Sequence, residues 1–352
     1  MSIVPNGSLF AIEHRSARGS VLVNQVLASP IEAGIGGVVL RCGGARPSTI
    51  DAVGAMVSVG GAHDRFVWAG DTRDVRHRVT LRLLGGQSAW LWRVEVTNAG
   101  DAVLPIDAIL RQDLGLGGLG FVANNEAYAS QYIDHHVARH PRYGPVVMSR
   151  QNLAQDGAHP WLMQGCIEGT VAFATDALQT FGPAHRDGNG FALGFETPLP
   201  ARRLQHEAAC VALQSPAATL EPGATATWQF FAVYVPDHAD ASGDGDLARL
   251  GSLSWNDAGA AAEARPVVRN VLQPAVIAQT RALHRDEISK RYPDRLLEEL
   301  EGGEPRSFFT PDAPHNRHVV LRGKELAITR RHGAVLRSGS ALLPDDSTLS
   351  VT

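Results

Sequence analysis

The chain has 352 residues, of which 44% are hydrophobic and 19% charged, and its formal net charge is −4. This composition is typical of a globular protein with enough apolar residues for a large core, and the length suggests two domains. The slightly acidic balance excludes the basic surface that nucleic-acid binding requires. No uncharged apolar run approaches the roughly 20 residues needed to cross a bilayer, so we expect no membrane partner.

Three cysteines, an odd number, lie far apart in the sequence at Cys42, Cys166 and Cys210. Their spacing matches neither a disulfide framework nor a metal-binding pair. The N-terminal residues lack the cationic segment and apolar core of a signal peptide. The sequence therefore predicts a cytoplasmic protein with no metal site.

Alternating apolar and polar residues dominate the first part of the chain, residues 1–257. The apolar positions of Val75–Leu83 alternate with polar ones up to a Gly-Gly pair, which predicts a half-buried strand and a turn. Trp90, Trp92, Val94 and Val96 share one face of the next strand, and Val103–Leu110 is predicted to return beside it. Thr227–Val235 is apolar on both faces, as expected for a strand between two layers. We predict a mainly β protein that begins with a large antiparallel β-sandwich.

Residues 258–313 lose this alternation and are rich in Ala, Leu, Arg and Glu. Pro293 can begin a helix, Leu296, Leu297 and Leu300 can form its apolar stripe, and a Gly-Gly pair can end it. This region is predicted to be a helical linker. Residues 314–352 return to a strand pattern, His318–Leu321 and Leu326–Arg330, and stop without a closing element. We expect this last region to be an incomplete, truncated β-region whose edge is unpaired.

The stretch SQYIDHHVARHPRYGPVVMSRQN, residues 130–152, has the highest density of hydrogen-bonding side chains. In a strand, His135 and His136 point to opposite faces and cannot chelate one metal ion. Asp134 and His136 share a face, and a carboxylate beside an imidazole can move a proton. Such pairs also occur as ordinary structural hydrogen bonds.

The same stretch is a candidate sugar-binding surface. Aromatic rings at Tyr128, Tyr132, Tyr143 and Trp161 could supply flat apolar faces, and amide, carboxylate and guanidinium groups could bind vicinal hydroxyls. The candidate substrate-binding residues are Gln131, Tyr132, Asp134, His135, His136, Arg150, Gln151 and Asn152. The alternative interpretation is that these side chains tie a long loop to the sandwich.

No stretch of the sequence has the pattern of a catalytic centre, so we assign no catalytic residue. Gly115–Gly120 is glycine-rich, but it has no lysine and no helical pattern after it, which favours a β-connection over a phosphate loop. No serine elbow, Cys-His dyad or CxxC motif occurs.

Several blocks of the sequence resemble one family of enzymes. NGSLFAIEH near the start, NNEAYASQYIDHH and GPVVMSRQN in the middle, and HVVLRGKELAITRRHGAVLRSG near the end resemble glycoside hydrolase family 94, and within it the 1,2-β-oligoglucan phosphorylases. The resemblance spans nearly the whole chain. It implies a sandwich of the galactose-mutarotase type, followed by helices and the start of a further β-region.

The resemblance also implies a function. Members of this family cleave β-glucosides reversibly, with inversion, and use inorganic phosphate as co-substrate and no cofactor. Their catalytic acid and phosphate site lie on an (α/α)6 barrel, to which no residue of this sequence can be matched. We therefore expect a carbohydrate-recognition and scaffold portion that is inactive alone, with a β-glucan oligosaccharide, a barrel encoded downstream and a second copy of the chain as partners.

Two alternatives remain open. The chain could bind β-glucan by itself as a stand-alone module. It could also be a mutarotase-like sugar epimerase with His135 or His136 as the base, although likeness of fold alone does not confer that activity.

Overall fold

The computed structural model describes residues 1–253 and 255, apart from gaps at 4–6, 18, 28–33, 44–47, 54–57, 63, 73, 126, 182–197 and 206–207, and describes short strands between 276 and 338. The chain divides into two compact units, Met1–Val268 and Arg269–Thr352. The boundaries predicted from the sequence, at 257/258 and 313/314, stay predictions.

The first unit is built almost wholly of strands. Its described strands are β1 (Ser2–Ile3), β2 (Leu9–Ala11), β3 (Glu13–Ser16), β4 (Gly19–Leu22), β5 (Gly37–Cys42), β6 (Ser48–Asp51), β7 (Ser58–Ala62), β8 (Arg65–Thr72), β9 (Val75–Leu83), β10 (Ala89–Asn98), β11 (Leu104–Asp113), β12 (Ile133–His140), β13 (Gly144–Gln151), β14 (Trp161–Cys166), β15 (Ala172–Asp176), β16 (Ala209–Gln214), β17 (Ala218–Leu220) and β18 (Thr225–Val235). The described helices are α1 (Leu119–Asn125), α2 (Ala127–Ser130), α3 (Ala177–Phe181) and a 3₁₀ helix, Asp244–Ser252. None of these helices has the length and apolar character needed to span a bilayer.

Two antiparallel sheets form the sandwich. The larger sheet has the strand order β12-β13-β14-β18-β10-β9-β8-β7. The smaller sheet has the order β15-β16-β11-β5-β6, with β17 also paired to β11. Neighbouring strands in both sheets run antiparallel. The predicted antiparallel β-sandwich is confirmed.

The main core lies between the two sheets. Trp92 and Phe230 from the larger sheet and Leu40 and Leu110 from the smaller one belong to a single apolar cluster. A second cluster covers the opposite face of the larger sheet and contains Phe231. The central strand β18 is therefore buried on both faces, as the sequence predicts. Removing the Phe230 ring by substitution with Ala would cost about 3–5 kcal/mol.

The corner after β10 corrects one prediction. The segment predicted as the return partner of β10 does form a strand, β11, but it lies in the other sheet, and β10 instead pairs with β9 and β18. Asn98 explains the switch, because its buried amide donates to the carbonyls of Ala102 and Leu220 at 2.7 and 2.9 Å. Leu220 belongs to β17, which pairs with β11, so this amide anchors the chain as it crosses between sheets.

The glycine-rich segment after β11 is a connection, as predicted. Gly117 forms an isolated bridge with Leu22, and the Gly115 N–H donates to the carbonyl of Val23 at 2.8 Å. The seven-residue helix α1 begins within this segment, at Leu119, whereas the sequence predicted no helix there.

The second unit contains only short described strands: β19 (Val276–Gln279), β20 (Leu296–Leu297), β21 (Leu300–Glu301), β22 (Glu304–Pro305), β23 (Val320–Leu321), β24 (Leu326–Thr329) and β25 (Ala334–Ser338). β23 and β24 pair antiparallel and confirm the predicted return to β-structure. The helix predicted to begin at Pro293 is wrong at its leucines, which form β20 and the start of β21. β20 pairs with β23, and this long-range pairing overrides the helical preference of leucine. The rest of the predicted linker, 258–275, 280–295, 298–299, 302–303 and 306–313, lies outside the described residues, and so do the C-terminal residues 339–352.

Candidate functional site

The polar stretch singled out in the sequence forms a hairpin of β12 and β13 at the edge of the larger sheet. Its ladder runs from Ile133 opposite Gln151 to His140 opposite Gly144. Gly144 closes the turn with φ of +67°, and a Cβ at this position would lie 2.3 Å from the carbonyl oxygen of Thr170. Glycine is therefore required for the hairpin to dock.

Two of the candidate sugar ligands, Arg150 and Gln151, are buried and already hydrogen-bonded to protein. The Arg150 guanidinium donates to the carbonyls of His238 and Ala239 at 2.7 and 2.9 Å, and to the Asn152 side chain at 2.5 Å. The Gln151 amide donates to two main-chain carbonyls, those of Gly115 and Ala129, at 3.1 and 3.2 Å. These contacts fit the interpretation that both side chains tie loops to the sandwich.

The Asp-His-His triplet divides between the two faces of β12. His135 is 1% exposed, and its Nδ1 lies 2.9 Å from the Ser149 hydroxyl. His136 and Asp134 share the other face, as predicted, but the His136 Nε2 pairs at 2.8 Å with Asp244, the first residue of the 3₁₀ helix. An imidazole paired with Asp244 links the hairpin to this helix. Among the described residues, no group of three or more His, Cys, Asp and Glu side chains is placed to hold a metal.

Aromatic side chains around the hairpin differ in accessibility. Tyr143 is buried in the apolar cluster that covers the outer face of the larger sheet, and so is Trp161, which stacks on His238 at 4.9 Å between ring centroids. The burial of Tyr143 and Trp161 corrects the expectation that the faces of these two rings are open to a ligand. Tyr128 is half exposed, and its hydroxyl lies 2.5 Å from that of Tyr132. The exposed part of the predicted surface is therefore this tyrosine pair with Gln131 and Asn152 beside it.

A cavity of about 410 Å³ lies away from this hairpin, at the end of the larger sheet where β9 turns into β10. Its wall includes Trp90 at the start of β10 and Tyr234 near the end of β18, two neighbouring strands of the larger sheet. Gln87 in the turn and His14 in β3 belong to its polar lining. The His14 and Tyr234 rings lie 4.9 Å apart and are tilted by 37°. Both also line a second cavity of about 420 Å³.

Sequence reasoning missed this cavity. It assigned the Trp90 side chain to the apolar face of β10 and treated the β18 residues as core. A Trp or Tyr in a core strand beside a turn is a weak signal for a ligand-binding site, because each of these side chains carries one polar atom that needs a hydrogen-bond partner. The pairing that brings the two strands together is long-range and has no local signature.

Comparison with known proteins adds the family. Residues 2–232 match the family described as SOGP N-terminal domain, and residues 292–352 match the glycoside phosphorylase supersandwich domain. A 1,2-β-oligoglucan phosphorylase from Listeria innocua is 28% identical over 335 residues, which is 94% of this chain and 29% of that protein. The chain thus spans less than a third of the length of this relative.

The similarity of the chain to solved structures is weak. A polysaccharide lyase is 13% identical with a TM-score of 0.42, covering 66% of this chain and 31% of its own. A galactose mutarotase related enzyme from Lactobacillus acidophilus is 7% identical with a TM-score of 0.27, covering 66% of this chain and all of its own. Scores this low carry no conclusion about activity. The family matches confirm the resemblance seen in the sequence: the chain belongs to the family of the SOGP N-terminal domain and is related to the 1,2-β-oligoglucan phosphorylases.

Proposed function

We propose that the chain forms the N-terminal part of an inverting β-glucoside phosphorylase of glycoside hydrolase family 94 that acts on 1,2-β-oligoglucans. Within that enzyme it would recognise carbohydrate and serve as a scaffold. The supporting observation is the match of two phosphorylase domains in order along the chain, together with 28% identity over 94% of its length to one such enzyme. Inorganic phosphate is the proposed co-substrate, and a catalytic barrel and a second copy of the chain are the proposed protein partners.

The chemistry of phosphorolysis supports placing the reaction centre outside this chain. An inverting reaction needs an acid on the leaving oxygen and a phosphate held in line on the opposite side. The three buried carboxylates that the structure describes hold protein groups instead, and one of them, Asp113, accepts from the backbone N–H groups of Gln25 and Val26 through a single oxygen. Asp107 pairs with Arg41, and Asp176 accepts from the backbone N–H groups of Leu178 and Ala208. We therefore assign the acid and the phosphate site to the barrel.

A phosphorolysis assay tests this proposal. The purified chain, incubated with a 1,2-β-linked glucose trimer and phosphate, should release no glucose 1-phosphate. A chimera of the Listeria enzyme in which this chain replaces the matched N-terminal segment should release it, while the same enzyme without the segment serves as the control. Release by the chain alone would contradict the assignment of the acid to the barrel. A folded chimera that binds the trimer but performs no phosphorolysis would contradict the assignment to the phosphorylases.

A second candidate function, a stand-alone β-glucan-binding module, is favoured by the exposed Tyr128–Tyr132 pair. The rings meet edge to face, with centroids 5.2 Å apart and an angle of 81° between them, and could offer an apolar platform to a sugar. Tyr132→Ala should weaken oligosaccharide binding if this platform touches sugar, whereas Tyr132→Phe keeps the ring and serves as the matched control. If both folded variants bind the oligosaccharide with the same titration curve, the tyrosine pair does not contact sugar and the hairpin has a structural role only. The epimerase alternative stays a prediction, with His136 paired at 2.8 Å to the carboxylate of Asp244 and His135 buried beside the Ser149 hydroxyl.

A further inference from the structure

We propose that the cavity between Trp90, Gln87, Tyr234 and His14 is a binding site for a neutral, polyhydroxylated ligand, a glucosyl unit of a 1,2-β-linked glucan. The cavity and its preference for hydroxyl groups are argued from the structure alone. The identity of the sugar rests on the proposed function.

Three residues that line the cavity each carry a buried polar atom with no hydrogen-bond partner in the part of the chain that the structure describes. These atoms are the indole Nε1 of Trp90, the hydroxyl of Tyr234 and the side-chain carbonyl oxygen of Gln87. Trp90 is 3% exposed and Tyr234 is 4% exposed. A buried polar atom without a partner costs about 1–3 kcal/mol, and buried indole and phenol groups usually have one. Three such atoms around a single cavity indicate that a ligand supplies the missing bonds.

The chemistry of these atoms specifies the kind of ligand. The Trp90 N–H can only donate, the Gln87 carbonyl can only accept, and the Tyr234 hydroxyl can do both. Burial raises the pKa of Tyr234, so its phenol stays protonated and able to donate at neutral pH. A set of one donor, one acceptor and one group of either kind matches the hydroxyl groups of a sugar, each of which both donates and accepts.

The rest of the lining combines apolar surface with acidic side chains. Leu83 and Ile12 line the cavity beside the His14–Tyr234 ring pair, which suits the apolar face of a pyranose. Glu13 and Asp64 are its acidic members, and no Lys or Arg side chain lies among the described lining residues. Fixed negative charge without such a cation disfavours phosphate or a sugar phosphate. A volume of about 410 Å³ is within the range of small-molecule sites.

Calorimetric titration of the full chain with sophorose, the 1,2-β-linked glucose disaccharide, tests the site. Trp90→Phe removes the indole N–H and keeps an aromatic ring, and Tyr234→Phe removes only the hydroxyl. Each should weaken sophorose binding about tenfold, the equivalent of one hydrogen bond made in a buried site. Free Tyr234→Phe should be as stable as the unsubstituted chain or more so, because only an unpartnered buried hydroxyl is removed, whereas a structural hydroxyl would show the opposite effect on stability. Trp90→Phe also removes ring volume from the core and should lose stability for that reason, so binding alone is compared for this variant.

Tyr143→Phe is the matched control, since this buried tyrosine packs in the cluster on the other face of the same sheet and should leave binding unchanged. Inorganic phosphate is the anionic probe and should give no heat. Absence of saturable sophorose binding to the unsubstituted chain would overturn the proposal, and so would an affinity in Trp90→Phe and Tyr234→Phe equal to that of the unsubstituted chain. The phosphorolysis assay tests the proposed function separately. If sophorose binding depends on Tyr234 but the folded chimera binds the trimer without cleaving it, the binding site stands and only the proposed function is contradicted.

Discussion

The buried carboxyl group of Asp113 makes the stability of the sandwich depend on pH. Asp113 ends β11 and is 2% exposed. One of its carboxylate oxygens accepts from the backbone N–H groups of Gln25 and Val26 at 2.9 and 2.5 Å, while the other has no partner. Burial raises the pKa from 3.8 to about 6, although these N–H groups and the Arg111 guanidinium act in the opposite direction.

The size and sign of the effect follow from this pKa. A rise of about two units corresponds to about 3 kcal/mol, since each unit is worth about 1.4 kcal/mol. Between pH 3.8 and about 6 the folded chain binds more protons than the unfolded chain. The free energy of unfolding therefore decreases by about 3 kcal/mol as the pH rises through this interval, and Asp113 contributes no further change above it.

Asp113→Asn removes this titration and keeps a carbonyl oxygen for the two N–H groups. Urea unfolding followed by tryptophan fluorescence measures the effect, because all six tryptophans lie within the first unit. The difference in free energy of unfolding between variant and unsubstituted chain should change by about 2.5 kcal/mol between pH 4 and pH 8, with the variant more stable at pH 8. Asp101→Asn, which removes the same charge from an exposed turn, corrects for net charge. Parallel stability curves for the Asp113 variant and the unsubstituted chain would refute the reasoning.

Three further predictions concern close packing and burial. Gly165→Ala places a Cβ 2.4 Å from the Phe231 ring and should destabilise the chain by about 1–3 kcal/mol in urea unfolding, whereas Gly120→Ala, with open space around it, should not. Asp107→Ala leaves the buried Arg41 guanidinium without its carboxylate and should cost about 3–5 kcal/mol, while replacing both residues with apolar ones should cost much less; equal losses would contradict the ion-pair argument. Burial raises the thiol pKa of two cysteines, and all three thiols should react with a chromogenic disulfide reagent only after unfolding; fast reaction of the native chain would contradict the burial of Cys42, Cys166 and Cys210.

Strand positions could be predicted from the sequence because a period of two residues is a local property. The alternation in Val75–Leu83 and the doubly apolar run Thr227–Val235 both correspond to strands with the expected burial. The sheet to which each strand belongs could not be predicted in the same way. The sheet change after β10 depends on one buried amide, at Asn98, which reads in the sequence as an ordinary turn residue.

The candidate site shows the same division between local and distant information. The polar composition of the β12–β13 hairpin is visible in the sequence, but the burial of Arg150 is not, because its main-chain acceptors follow β18, far along the chain. The leucines of β20 were misread for a related reason, since their strand partner is β23. Side-chain chemistry could be read from the sequence, whereas accessibility depended on contacts between distant segments.

The two faces of the larger sheet explain why a ligand would bind at the strand ends and not on the hairpin. On the outer face, Leu247 and Leu250 of the 3₁₀ helix pack in the apolar cluster that also buries Trp161. Arg150 donates hydrogen bonds to the segment before that helix and so holds the helix against this face. On the inner face, the core between the sheets ends at Trp90 and Tyr234, where the β9–β10 turn leaves a cavity with unpartnered polar atoms. Retaining such atoms is unfavourable for a protein that uses this sheet only as a scaffold. The larger sheet would therefore serve as a scaffold over most of its area and bind carbohydrate at the end of its inner face.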